Sequence, residues 1–95
     1  MGLYIVLVKM TEQGVKNVGN LKKIIADNRK IIESTGSKVV ASYSTLGRYD
    51  LVAVLDIPND TVAMELSAKI ASAGYSRPET LVAVPLKDFQ AKVSK

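Results

Sequence analysis

The residues best suited to chemistry lie close together: Tyr43, Arg48, Tyr49 and Asp50. Asp50 shares a strand face with Val52 and Val54, where a partly buried carboxylate is a candidate general base. The Tyr49 phenol and the Arg48 guanidinium would orient a substrate, and Tyr43 lies across the hairpin. Asp50 and Tyr49 are therefore the candidate catalytic pair, and Tyr43, Arg48, Tyr49 and Asp50 the candidate ligand-binding set. A structural account competes for the same residues. Gly47 suits the positive φ of a tight turn. Tyr49 opens a strand with a large amphipathic ring. Asp50 can accept backbone amides at the turn. A second stretch, Thr11-Glu12-Gln13-Gly14, reads as a turn whose free amides could hold an anion. It lacks a phosphate-loop pattern.

Composition excludes more chemistry than these residues suggest. With no cysteine there is no disulfide framework and no thiolate metal site. With no histidine the usual zinc, copper and haem ligands are missing, and so is the commonest acid–base group near neutral pH. No metal or cofactor is expected. Thirteen Lys and Arg against nine Asp and Glu give a net charge of +4. The basic residues are scattered, which implies mild attraction to anions and no dedicated nucleic-acid surface. The apolar run Leu3 to Val8 is too short for a signal peptide or a membrane span. A soluble, cytoplasmic protein is expected.

The elements that would position the candidate residues follow from pattern. Leu3 to Lys9 is a breaker-free run of branched and aromatic side chains, a strand. Val15 to Gly19 reads as an irregular turn and Asn20 as a helix N-cap. A helix is predicted over Leu21 to Thr35, with Leu21, Ile24, Ile25, Ile31 and Ile32 as its buried stripe and Arg29 mostly off it. Gly36 stops it. Lys38 to Thr45 and Tyr49 to Ile57 form a hairpin. Pro58-Asn59-Asp60 caps a second, alanine-rich helix over Thr61 to Ala73, ended by Gly74. Thr80 to Leu86 is the fourth strand, with Pro85 tolerable at a sheet edge. Lys87 to Lys95 is a polar tail of weak helical character. The order β-α-β-β-α-β within a single domain of residues 1–95 gives the ferredoxin-like sandwich, an α+β fold. Its antiparallel sheet carries two helices on one face, with the first and third strands central.

Two helices cover only one face of such a sheet. Along the first strand Leu3, Ile5 and Leu7 oppose Tyr4, Val6 and Val8; along the third, Val52 and Val54 oppose Leu51, Ala53 and Leu55. Whichever set meets the helices, several apolar side chains remain on the open face, each costing roughly 1.5–3 kcal/mol if left in water. A homodimer through that face is expected, related by a two-fold axis. The competing arrangement folds Leu86, Phe89 and Val93 of the tail over the sheet.

Tyr4-Ile5-Val6-Leu7, Thr11-Glu12-Gln13-Gly14 and Thr45-Leu46-Gly47-Arg48-Tyr49-Asp50-Leu51-Val52-Ala53 together resemble the GYD domain family over nearly the whole chain. That family is similar to the dimeric α/β barrel superfamily, which implies the same dimer, or a higher oligomer built from it. The resemblance supplies no catalytic residue. Three roles are weighed: binding of a small organic ligand in a sheet–helix cleft; a cofactor-independent monooxygenase or isomerase, which the superfamily likeness implies; and a structural or regulatory assembly subunit. RNA recognition shares the strand order but fails on the third strand. After Tyr49 come Asp50 and Leu51, where base-stacking needs a small residue and an aromatic.

Overall fold

The computed structural model describes residues 2–94. Its elements are β1 (Gly2–Met10), α1 (Glu12–Lys16), a 3-10 turn (Val18–Asn20), α2 (Leu21–Ser34), β2 (Lys38–Ser44), β3 (Leu51–Ile57), α3 (Asp60–Ser72), β4 (Ser76–Ala83) and α4 (Leu86–Val93). The strands form one sheet in the order β2-β3-β1-β4, antiparallel throughout. This is the ferredoxin-like arrangement, with the two most apolar strands at its centre. No helix among the described residues is long and apolar enough to cross a membrane.

Register decides which side chains meet the helices. Tyr4 pairs with Leu55, Val6 with Ala53 and Val8 with Leu51. Tyr4, Val6, Leu55 and Ile57 join Ile32 of α2 and Ala63 and Leu66 of α3 in the buried core. The alternate set, Leu3, Ile5, Leu7, Val52 and Val54, lies on the opposite face. In β2 the register shifts between Val39 and Ala41, so Val40 is an extra residue and is exposed.

Four expectations are corrected. Thr11-Glu12-Gln13-Gly14 is not a plain turn: Thr11 caps α1, its Oγ1 accepting the Gly14 amide at 3.1 Å. Thr11 also donates to the Gly74 carbonyl at 2.5 Å, and its amide donates to the Tyr75 carbonyl at 3.1 Å. Gly14 is required there, because a Cβ on it would sit 2.0 Å from the Tyr75 carbonyl oxygen. The Thr11 and Gly14 amides are thus both engaged, and the segment locks β1 onto the α3–β4 junction. Asn20, second, makes no side-chain cap; α2 is entered directly from the 3-10 turn. Asn59 does cap α3, accepting the Val62 amide at 3.0 Å.

Third, the last strand runs over Ser76–Ala83 rather than Thr80 to Leu86. The Thr11 contacts fix Tyr75 beside β1, so pairing begins at once with Met10 opposite Ser76. Pro78, not Pro85, is the proline in this edge strand, opposite Val8. Pro85 instead precedes α4. Fourth, Leu86–Val93 is a formed helix, and every one of its residues is exposed. Leu86, Phe89 and Val93 therefore do not cover the sheet.

Candidate functional site

A cavity of about 300 Å³ lies between the sheet and helices α2 and α3. Val6, Val8, Leu51 and Ala53 contribute its floor; Ile24 and Ile25 of α2 and Ile70 of α3 contribute its roof. Ala53 is the local reason for the space. It sits in mid-strand between Leu51 and Leu55 on the same face, opposite Val6, and fills far less volume than either neighbour. The lining is overwhelmingly apolar and includes no carboxylate among the described residues. Its one charged residue is Arg29.

The exposed members of the lining locate the mouth. They are Ile25, Arg29, Ser42, Tyr43 and Ser44, all on α2 or β2. Lining residues from β1, β3, α3 and β4 are buried or half-buried. The cavity thus opens between α2 and the β2 edge and closes toward the centre of the sheet. Arg29 takes part in none of the ion pairs among the described residues, which are Lys16–Glu12, Lys23–Asp27 and Lys69–Glu65.

The four residues singled out from sequence do not converge on this cavity. Tyr43 is the one that lines it, and it is 60% exposed. Arg48, Tyr49 and Asp50 lie outside the lining, at the β2–β3 connection. There Asp50 continues the backbone ladder. Its Oδ2 accepts the Met10 amide at 2.7 Å, its own amide donates to the Val8 carbonyl at 2.8 Å, and its carbonyl accepts the Thr45 amide at 2.9 Å. Thr45 Oγ1 donates to the Tyr49 carbonyl at 2.7 Å, and Lys9 Nζ donates to the Arg48 carbonyl at 3.3 Å. The Tyr49 hydroxyl donates to Glu79 Oε1 at 3.2 Å across the sheet, an exposed contact. Together these bonds pin the hairpin to β1, which gives the signature a structural role.

Sequence reasoning passed over Arg29 and Ala53. Arg29 had a usable signal. Ile25, Arg29 and Ile32 are spaced i, i+4, i+7, which places Arg29 beside Ile25 at the exposed edge of the α2 stripe. Ala53 gave none, since an alanine in an apolar strand is ordinary until its neighbours' volumes are known. A second, shallower groove runs between α3 and β4. On its wall the Tyr4 hydroxyl donates to the Asp60 carboxylate, tying β1 to the start of α3. That hydrogen bond, followed by burial and the Asp60 charge, raises the Tyr4 pKa.

Fold and site together define a small ferredoxin-like α+β protein with an apolar cleft beneath its first long helix. Compared with known families, residues 4–93 match the GYD domain. The chain belongs to the GYD domain family. It is 32% identical over 94 residues to a protein of Thermus thermophilus, the glutamine synthetase and cystathionine beta-lyase binding protein. The match covers 98% of this chain and 99% of that relative.

Proposed function

We propose that this chain is a binding module: a homodimer joined through the open sheet face that holds a small organic molecule in the cleft between α2, α3 and the sheet. The observation that carries this reading is the cavity of about 300 Å³, lined mostly by apolar side chains, with its exposed lining residues confined to α2 and β2. A volume of that size falls at the lower end of the range for small-molecule sites, which are mostly apolar with few polar groups. The dimer reading is supported by Leu3, Ile5, Leu7 and Val54, half-buried apolar side chains on the sheet face that alternates with the core face. Native mass spectrometry of freshly purified protein tests both parts. A dimer carrying an adduct of roughly 150–200 Da is expected, the mass of about twelve non-hydrogen atoms. A monomer contradicts the assembly, and a bare dimer that also fails to take up decanol contradicts the ligand.

The relative supports a second reading, in which this chain is a regulatory subunit that docks on metabolic enzymes. That protein is named for binding glutamine synthetase and cystathionine beta-lyase, and the two chains align over nearly their full lengths. Co-elution with purified glutamine synthetase or cystathionine beta-lyase would support this role; separate elution from both would contradict it. An oxygenase or isomerase would need a base in the cleft, and no carboxylate among the described residues lines it.

A further inference from the structure

We infer that the cleft is built for an apolar monocarboxylate, whose chain fills the cavity and whose carboxylate meets Arg29 at the mouth. This rests on the ligand-binding reading above and names the chemistry of the ligand. Three observations carry it. The first is volume. A cavity of about 150 Å³ accommodates benzene, so about 300 Å³ accommodates roughly twelve non-hydrogen atoms. The second is charge. Arg29 is the one charged residue in the lining, no carboxylate accompanies it, and it forms no ion pair within the described residues. An arginine left without a protein carboxylate offers a planar fork of donors that fits a ligand carboxylate in a two-bond arrangement.

The third is polarity along the cavity's axis. The exposed polar lining residues Arg29, Ser42 and Ser44 gather at the α2–β2 opening, whereas the buried lining is Val6, Ile32, Leu55, Ile57, Ala63 and Leu66 with Ser76 as its one polar member. A molecule with one anionic end is oriented by such a site, because the single charge of the lining sits at the mouth. A single guanidinium matches the single charge of a carboxylate better than the double charge of a phosphate monoester. A neutral hydrocarbon would gain nothing from Arg29, whose donors stay hydrated at the mouth, and an amine would be repelled by it.

Isothermal titration of the full chain with decanoate, decanol and decylamine at about 0.15 M salt tests this, since screening at that ionic strength suppresses general attraction by the net positive charge. The three probes share a ten-carbon chain and differ in head-group charge. Decanoate should bind roughly tenfold more tightly than decanol, the scale of one charge-assisted pair at a half-open site. Decylamine should bind more weakly than decanol. Arg29→Met, an exposed change that keeps an unbranched stem, should abolish the preference for decanoate over decanol. If decanol binds as tightly as decanoate, or if the preference survives Arg29→Met, the carboxylate inference is overturned while the cleft remains a ligand site. If neither decanol nor decanoate binds, the inference and the ligand-binding reading fall together.

Discussion

Asp50 separates the structural from the chemical account of the signature sequence. Its Oδ2 accepts the Met10 amide at 2.7 Å, and the contact is partly buried. Asp50→Ala leaves that amide without its acceptor. A hydrogen bond to a charged group contributes about 1.5–3 kcal/mol, so a loss near 2 kcal/mol is expected. For a domain of this size each kcal/mol moves the melting temperature by about 4–8 °C, giving a drop of about 8–16 °C. Asp50→Asn keeps an acceptor oxygen but loses the charge, and a cost of about 1 kcal/mol, or about 4–8 °C, follows. Because Asp50 does not line the cavity, decanol affinity of the folded variants should stay within about twofold of the parent. Thermal unfolding followed by circular dichroism and titration below the transition would read both quantities. An Asp50→Ala protein that melts like the parent but no longer takes up decanol would refute this reasoning and return Asp50 to the binding site.

Gly14→Ala should be among the most damaging single-methyl changes in the chain. The added carbon would sit 2.0 Å from the Tyr75 carbonyl, forcing α1 off the α3–β4 junction and breaking the Thr11 bonds to Gly74 and Tyr75. A loss of about 3 kcal/mol, read by urea denaturation, combines overpacking with a lost hydrogen bond. Gly19→Ala, with nothing near its added carbon, serves as the control and should change little. The Tyr4–Asp60 pair predicts a stability trend at high pH. The folded Tyr4 pKa is raised above its ordinary value of about 10, so its contribution is fully present below about pH 10 and is lost as pH climbs through the folded value. Tyr4→Phe should show a flatter decline than the parent above about pH 10 in denaturant titrations, and equal slopes would contradict the linkage.

The strand and helix order was readable because local signals agreed with the fold. The breaker-free first strand, the Asn59 cap and the glycines at Gly36 and Gly74, both at positive φ, each mark an element the structure contains. What escaped depends on contacts distant in sequence. The start of β4 is set by Thr11 holding the Tyr75 carbonyl, a partnership invisible to any local pattern around Ser76. The short helix α1 follows from a Thr11 cap whose strength comes partly from its contact with Gly74. The candidate site was legible only in outline. The sheet–helix cleft follows from the topology, but the residues that shape it are a small Ala53 and a lone Arg29 rather than the chemically conspicuous Tyr49 and Asp50. Those two attract notice as polar residues at a strand start, and the structure employs Asp50 in closing the backbone ladder.

Methyl NMR of isoleucine-labelled protein titrated with decanol tests the central claim most directly. The isoleucines divide the molecule into two faces. Ile24, Ile25 and Ile70 line the cavity, whereas Ile5 points away from the helices on the open sheet face. Saturable shifts at Ile24, Ile25 and Ile70, with Ile5 unmoved, are predicted. Shifts centred on Ile5, or no saturable shift at any isoleucine, would contradict a ligand site between α2 and the sheet.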